Sequence, residues 1–273
     1  MGFFGLFNRN KKSVGNDQPN QSAKESNDNL LLAMPMFNND ETFDSVKVTN
    51  YLKGYWDVNV IDVQGNNDTL AFSADGEMIV LGTIDRPIPK EEIEGAAAYA
   101  YNWPAALDDL QNHTSHVLVT MMSGNTDIIE RCKIFTKVLH SILATSNCIG
   151  IYQGTQTLLI PKLQFIERAE VLKDNNEIPV NLWVYIGLRS TEKGNNAYTY
   201  GLNNFGKSEM EFINASLELD DLYELLYNTA SYVLNSNITF KSGETLGYTA
   251  EQKIKITQSQ GIFTAGQTLK FEL

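Results

Sequence analysis

Apolar and polar positions change their spacing three times between residues 115 and 154. Residues 117–122 form a short apolar run, which Ser-Gly-Asn at 123–125 interrupts. From residue 126 to Asn147 the apolar side chains recur every three or four positions, which is typical of one face of an α-helix. A second short apolar run follows at 148–152. This order predicts a central βαβ unit with two neighbouring parallel strands and a right-handed crossover.

We expect this unit to organise the core. Its inward strand positions should pack beneath the apolar stripe of the helix, because a one-sided helix between two short apolar strands leaves few other ways to bury these side chains. The strand positions are Val117, Val119, Ile149 and Ile151, and the helix positions are Ile128, Phe135 and Leu139.

The rest of the pattern interleaves helices with strands. Asp75-Gly76 lies between two short alternating runs and is a strong hairpin signal. The order of elements up to Met122 resembles a ferredoxin-like unit. We therefore predict an α+β fold with a mixed sheet. No Pro- or Ser-rich linker interrupts residues 30–273, which favours one domain.

Residues 1–29 differ from this pattern. Positions 8–29 are polar and almost free of apolar residues, which predicts a disordered tail. The apolar start at 3–7 is followed by three basic residues before position 13. Residues 3–12 could contact an anionic membrane surface weakly, but a frayed terminus is the favoured interpretation because so short an apolar turn binds weakly.

Charge limits the choice of partner. The chain of 273 residues has a net charge of −12, and residues 1–29 hold four basic and three acidic residues, so the remainder carries −13. An acidic body repels phosphate backbones, which argues against nucleic acid and leaves a basic protein as a candidate partner. Two cysteines and the absence of a long apolar run predict a reducing, cytoplasmic setting with no transmembrane segment.

His113 and His116 are the one close histidine pair. Two imidazoles at this spacing could share a metal with a carboxylate such as Asp109. No Cys-x-x-Cys or His-Glu-x-x-His pattern supports such a site, so we predict no metal and expect hydrogen-bonded, partly buried imidazoles instead.

Glu209 and Glu211 alternate with Met210 and Phe212 on a predicted strand. The two carboxylates therefore share a face, roughly 7 Å apart. At that distance they could do acid/base work or hold a cation. The favoured interpretation is a solvent-facing strand on which the acids protect an edge.

No pattern of a nucleophilic enzyme or of a cofactor site occurs. The loop from Gly201 to Gly206 lacks the ending of a phosphate-binding loop and opens no predicted helix. There is no Gly-x-Ser-x-Gly elbow, and Cys132 and Cys148 lie in apolar runs that raise a thiol pKa. We predict no cofactor.

Several motifs in a fixed order resemble a bacterial family known as domain of unknown function 4261, from about Leu32 to the C-terminus. Its motifs here are Ala33 to Phe37, Pro87-Ile88-Pro89, Trp103-Pro104, His113 with His116, Gly150-Ile151-Tyr152, Leu182-Trp183-Val184, Thr199 to Leu202, Phe205-Gly206, Glu209 with Glu211, and Gly243-Glu244-Thr245 with Gly247. The family is uncharacterised, so the resemblance implies a fold and a bacterial cytoplasmic setting but no reaction. The candidate binding residues are Trp103, Tyr152, Gly201, Phe205 and Gly206.

Two hypotheses of function follow. The first is a non-catalytic binding protein whose acidic surface engages a basic protein, with immunity to a toxin as one version by analogy alone. The alternative is a hydrolase-like or metal-dependent enzyme that uses His113, His116, Glu209 and Glu211. It requires these four groups to meet in one pocket.

Overall fold

Two β-sheets and eight helices form the part of the chain that the structure describes. A computed structural model covers residues 30–39, 41–122, 124, 126–154, 156, 158–174, 177–249 and 251–272. The predicted disordered tail, residues 1–29, and the proposed membrane contact at residues 3–12 lie outside these ranges.

Seven strands form the first sheet, and every neighbouring pair in it is antiparallel. These strands are β1 Leu31–Phe37, β2 Val60–Gly65, β3 Thr69–Ala74, β4 Glu77–Ile84, β5 Ser115–Met121, β6 Gly150–Gln153 and β7 Leu158–Pro161. Their spatial order is β2-β3-β4-β5-β1-β6-β7. The predicted hairpin joins β3 to β4 through Asp75 and Gly76, whose φ angles of 48° and 90° suit a tight turn of this kind.

Several of the eight α-helices cover the two faces of this sheet, and α8 packs on the second sheet described below. In chain order they are α1 Ser45–Trp56, α2 Lys90–Ala97, α3 Ala106–Leu110, α4 Ile128–Thr145, α5 Lys162–Ala169, α6 Val171–Asp174, α7 Val180–Trp183 and α8 Leu219–Asn235. α4 packs against α1, α5 and β1, while residues of α2 and α3 form a smaller apolar cluster with Met36 and Leu159. None of the described helices is long and apolar enough to cross a membrane.

The predicted βαβ unit is corrected in one respect. β5 and β6 run in the same direction on either side of α4, but they are not neighbours. β1 lies between them and pairs antiparallel with both, at Ala33↔Val119 and Pro35↔Ile151. Local periodicity identifies the two strands but carries no information about a third strand inserted between them from eighty residues away.

The inserted strand produces a ferredoxin-like arrangement, although the prediction placed the end of this unit at Met122 and the structure completes it with α4 and β6. β1, α1, β4, β5, α4 and β6 occur in this order in the chain, with β2 and β3 before β4 and with α2 and α3 before β5, and their strands stand in the order β4-β5-β1-β6. This is a split βαβ arrangement. The β2–β3 hairpin extends one edge of it and β7 extends the other.

The predicted core positions lie mostly where expected. Val117, Val119 and Ile151 are fully buried in one hydrophobic cluster with Phe135 and Leu139 of α4. Ile128 packs partly buried on the same cluster. Ile149 differs, because it precedes β6 and packs on the opposite face of the sheet, in the cluster of α2 and α3.

The second sheet is mixed. Its strands are β8 Tyr185–Thr191, β9 Gly194–Tyr200, β10 Met210–Ala215, β11 Thr245–Gly247, β12 Lys253–Gln260 and β13 Gln267–Glu272. The order is β11-β12-β13-β10-β9-β8, with β10 and β13 parallel. α8 packs on β8 and β9. Helices together with antiparallel and mixed sheets confirm the predicted α+β class.

Both sheets contribute to the main hydrophobic cluster. Phe212 of β10 and Phe271 of β13 belong to the same connected set of buried side chains as Val119 and Phe135. The assignment of residues 30–273 to one domain stays a prediction, and this continuity of the core supports it.

We expect Phe135→Ala to lower the free energy of unfolding by about 3–5 kcal/mol, because it empties a large site between α4 and the first sheet. Leu163→Ala is the control, since the side chain of Leu163 is 71% exposed. Denaturant unfolding of the two variants measures the difference. Equal midpoints would show that α4 does not organise the core.

Candidate functional site

Both ring nitrogens of His113 are used within the protein. Nε2 accepts a hydrogen bond from the backbone N–H of Ile88 at 2.9 Å. Nδ1 therefore carries the proton and donates to the carbonyl oxygen of Leu110, 2.6 Å away. Through these two hydrogen bonds the neutral imidazole links the segment Pro87-Ile88-Pro89 to the end of α3.

His116 lies next to this arrangement on β5. Its Nδ1 lies 2.9 Å from the carbonyl oxygen of Arg86. Burial lowers the pKa of His116 below 6.5, so the ring is neutral at pH 7. Within the described ranges, no group of three or more His, Cys, Asp and Glu residues is suited to hold a metal ion.

Glu209 is buried rather than solvent-facing, which corrects the favoured interpretation of the acidic pair. Its carboxylate accepts hydrogen bonds from the backbone N–H groups of Gly201 at 2.8 Å and Asn203 at 3.2 Å. It also accepts one from the hydroxyl of Thr199 at 2.7 Å. Glu209 thus fixes the loop from Gly201 to Gly206, which we call the glycine-bounded loop, onto the end of β9.

Glu211 is fully buried and holds a second loop. Its carboxylate accepts the backbone N–H groups of Ile262, Phe263 and Thr264, at 3.0–3.2 Å, and forms an ion pair with Lys270. Burial alone would raise the pKa of this carboxyl group. The hydrogen bonds from Lys270 and from the loop outweigh burial and lower the pKa below 4.5.

The two pairs serve different parts of the fold. His113 and His116 bond to the segment before α2 and to the end of α3, whereas Glu209 and Glu211 bond to loops of the second sheet. Among the described residues the two pairs share no hydrogen-bond partner.

The candidate binding residues fall in two places. Gly201 and Gly206, with φ angles of 119° and 67°, bracket a short 3-10 helix at Leu202–Phe205. Phe205 stacks on Trp183 at 5.8 Å between ring centres, over a small cavity that also borders α4.

Trp103 and Tyr152 lie on the opposite face of the first sheet, in the cluster of α2 and α3. Trp103 donates to the carboxylate of Asp109 at 2.6 Å, and Tyr152 to that of Glu92 at 2.9 Å. The five candidates thus do not line one site.

The glycine-bounded loop, both buried carboxylates and the loop at 262–264 belong to one segment with a known family pattern. Residues 198–272 match DUF4261, described as a domain of unknown function. This match confirms the resemblance inferred from the sequence for the C-terminal segment. The motifs between Ala33 and Trp183 lie outside the matched residues. No curated protein and no solved structure matches the chain.

A set of aromatic side chains, which the sequence analysis did not single out, meets where the DUF4261 segment joins the rest of the chain. Neighbouring ring centres lie 4.8–6.5 Å apart, within the range of favourable ring contacts. We call this set the tyrosine cluster; it consists of Tyr99, Tyr101, Tyr185, Tyr198, Tyr223, Tyr227 and Phe263.

The tyrosine cluster is partly open to solvent. Tyr99 and Tyr101 are each about half exposed, whereas Tyr185 beneath them is buried. The hydroxyl of Tyr101 donates to the carbonyl oxygen of Ile186 at 2.8 Å, which ties the segment after α2 to β8. Burial raises the pKa of both Tyr101 and Tyr185, so these phenols stay neutral at physiological pH.

Exposed acidic side chains lie close in the chain to several of these rings. Glu224 follows Tyr223 on the exposed side of α8, and Asp220 and Asp221 precede it by one turn. Glu91 and Glu94 are exposed on α2, a few residues before Tyr99. A half-exposed aromatic centre with a charged rim is typical of protein-binding surfaces.

One signal in the sequence could have pointed to this surface. Tyr223 and Tyr227 stand one helical turn apart on an amphipathic helix, beside the stripe of leucines, and Tyr99 and Tyr101 alternate in a short segment. Tyrosine at such border positions has an apolar ring to pack and a hydroxyl that needs water or a partner.

His140 is the third histidine and lies in a buried network that joins α4 to α1 and to the end of α5. Its Nδ1 accepts from the indole N–H of Trp56 at 3.2 Å, and its Nε2 lies 3.0 Å from a carboxylate oxygen of Glu170. Burial lowers the pKa of His140 although Glu170 opposes the effect. Burial also raises the pKa of Cys132 and of Cys148 to about 12, so neither thiol is a nucleophile at neutral pH.

We expect Glu211→Gln to destabilise the protein by about 3–5 kcal/mol, because the substitution leaves Lys270 without its buried counter-charge. Glu272→Gln is the matched control, since Glu272 pairs with Lys255 at the exposed end of the same sheet and should have little effect on stability. Denaturant unfolding at pH 7 compares them. An equally small effect for both would contradict the role assigned to Glu211.

The His140 network predicts a loss of stability in mild acid. The pKa of His140 is lower in the folded protein than the 6.5 of the unfolded chain, so the unfolded state binds the proton first. The free energy of unfolding should therefore fall as the pH drops from about 6.5 towards 5. His116 contributes in the same direction.

His140→Asn removes one of the two titrations. The variant should be less stable at pH 7, yet its free energy of unfolding should change less between pH 6.5 and 5 than that of the wild type. An unchanged slope against pH would rule out His140 as a source of the acid sensitivity.

Proposed function

We propose that the protein is a non-catalytic binding protein of the bacterial cytoplasm whose tyrosine cluster and acidic rim engage a basic protein segment. The observation that carries the proposal is the tyrosine cluster itself. Tyr99 and Tyr101 are half exposed, and packing against them fixes the buried ring of Tyr185. Exposed carboxylates lie on α2 and α8.

The chemistry of these groups suits a cationic partner. Tyrosine rings supply large contact areas at a small cost in side-chain entropy, and their faces attract Lys and Arg. Carboxylates at the rim speed the encounter with a basic surface and discriminate against acidic ones. The net charge of −13 on residues 30–273 acts in the same direction.

The positions of the other candidate groups support binding over catalysis. His113 donates and accepts within the protein, and Glu209 and Glu211 each hold a loop through three or more hydrogen bonds. A catalytic acid or base needs a free lone pair or proton that reaches a substrate. Immunity to a cationic toxin is one form that such binding could take, by analogy.

Affinity capture tests the proposal. Immobilised wild-type protein should retain basic proteins, with a pI above about 9, from a bacterial lysate at about 50 mM salt and lose most of them at about 300 mM. Tyr99→Ala should reduce the retained amount several-fold, because it removes a half-exposed ring of the centre.

Tyr232→Ala is the matched control, since Tyr232 is 50% exposed on α8, outside the tyrosine cluster, against 49% for Tyr99. This variant should retain the same proteins as the wild type. Retention of proteins without a basic bias, or an equal loss with both variants, would contradict the proposal.

A further inference from the structure

Arg168 is a cation that lies within the tyrosine cluster. It lies in the last turn of α5, half-buried among the rings of Tyr101 and Tyr223. Among the described residues it has neither a hydrogen bond nor an ion pair. A positive charge at a helix C-terminus is favourable, but an exposed side chain would satisfy that preference equally well.

Burial without a partner is costly for a guanidinium group. Burial lowers the pKa of Arg168, and the nearby hydroxyls of Tyr223, Tyr101 and Tyr227 oppose the shift, followed by Glu167. Arginine nevertheless keeps its charge at any physiological pH. Arg168 is partly buried, and among the described residues no carboxylate lies within hydrogen-bonding distance of its guanidinium group. An anionic ligand would therefore gain a charge-assisted contact there.

Two further donors border the same cavity. The side-chain amide of Asn181 and the hydroxyl of Tyr223 line it together with Arg168, and neither has a hydrogen-bond partner in the parts of the chain that are described. The other amide in the wall, that of Asn102, is already used, because it donates to Leu159 and to Gln164. Three donors with free N–H or O–H groups thus converge on one space.

We infer that Arg168, Asn181 and Tyr223 form a binding subsite for a carboxylate. The guanidinium fork matches the two oxygens of a carboxylate, and the amide and hydroxyl can donate to the remaining lone pairs. The subsite shares Tyr101 and Tyr223 with the tyrosine cluster. It takes a ligand of the opposite charge, and its test does not depend on the basic-partner contact proposed above.

Size and charge select a carboxylate over a larger anion. The cavity volume is about 20 Å³, which is room for about one water-sized group. The rest of a ligand must therefore remain at the surface, against the half-exposed ring of Tyr101. Glu167 and Glu177 lie near Arg168 and Tyr227, so a second negative charge on the ligand would be repelled.

Small probes test the subsite directly. Sodium benzoate should shift the NMR signals of the Arg168 and Asn181 side chains, whereas benzamide, which has the same ring without the charge, should bind at least about tenfold more weakly. Inorganic phosphate should bind more weakly than benzoate. Equal binding of benzoate and benzamide would overturn the inference, and this comparison needs only the wild-type protein.

Two variants localise the effect. Arg168→Gln should abolish the preference for benzoate over benzamide, and Arg168→Lys should retain only part of it, because lysine lacks the two-pronged geometry. Arg189→Gln is the control, since Arg189 is an exposed arginine on β8 close enough to Tyr198 to influence its pKa. An unchanged preference in Arg168→Gln would also overturn the inference.

A last comparison distinguishes the two sources of a carboxylate. A short peptide that ends in a free carboxylate and its C-terminal amide should differ at least about tenfold in affinity if the subsite takes a chain terminus. Binding of benzoate but not of the peptide acid would assign the subsite to a free small acid. If neither acid binds, there is no subsite.

Discussion

The carboxylate of Glu211 has no contact with water, and the second sheet depends on how its charge is compensated. Lys270 supplies the opposite charge from the parallel strand β13, and three backbone N–H groups of the loop at 262–264 point at the same oxygens. Glu209 repeats the arrangement two residues earlier with the glycine-bounded loop. The two loops that these carboxylates hold cover Glu209 and Glu211. The alternation of acidic and apolar residues in the sequence suggests that both positions are exposed.

These loops help to shape the tyrosine cluster. Phe263, in the loop that Glu211 holds, stacks on Tyr198 at 4.8 Å, and Tyr198 contacts Tyr185 of the neighbouring strand. The rings of Tyr101 and Tyr223 continue the contact to the segment after α2 and to α8. Packing therefore connects the buried charge of Glu211, inside the DUF4261 segment, to the tyrosine cluster. Segments outside the DUF4261 match complete that cluster. The same surface contains Arg168, which has neither a hydrogen bond nor an ion pair among the described residues. The surface therefore combines carboxylates at its rim with a cation among its rings.

Local patterns predicted the elements of this fold better than their arrangement. The change of period around residue 126 identified β5, α4 and β6, and Asp75-Gly76 identified the β3–β4 hairpin, because both depend on neighbouring residues alone. The insertion of β1 between β5 and β6 depends on pairing between distant segments, which periodicity does not encode. The alternation at Glu209 and Glu211 predicted a solvent-facing pair, whereas both carboxylates are buried. Their burial results from the loops at 201–206 and 262–264, which pack over them. The sequence of the strand does not indicate these contacts. The tyrosine cluster joins five separate parts of the chain. Its local signals were therefore limited to the helical pair Tyr223 and Tyr227 and to the alternation of Tyr99 and Tyr101.

The central claim is that the tyrosine cluster is the surface through which this protein acts, while its buried acids and imidazoles hold the fold. Hydrogen–deuterium exchange of the protein alone and in complex with its captured partner tests this most directly. The account predicts slower exchange on binding in three stretches: 98–103, 185–200 and the first half of α8. It also predicts unchanged exchange around His113 and along the outer strands β2 and β11. Protection centred on the His113–His116 segment, with none at Tyr99 to Tyr101, would contradict it.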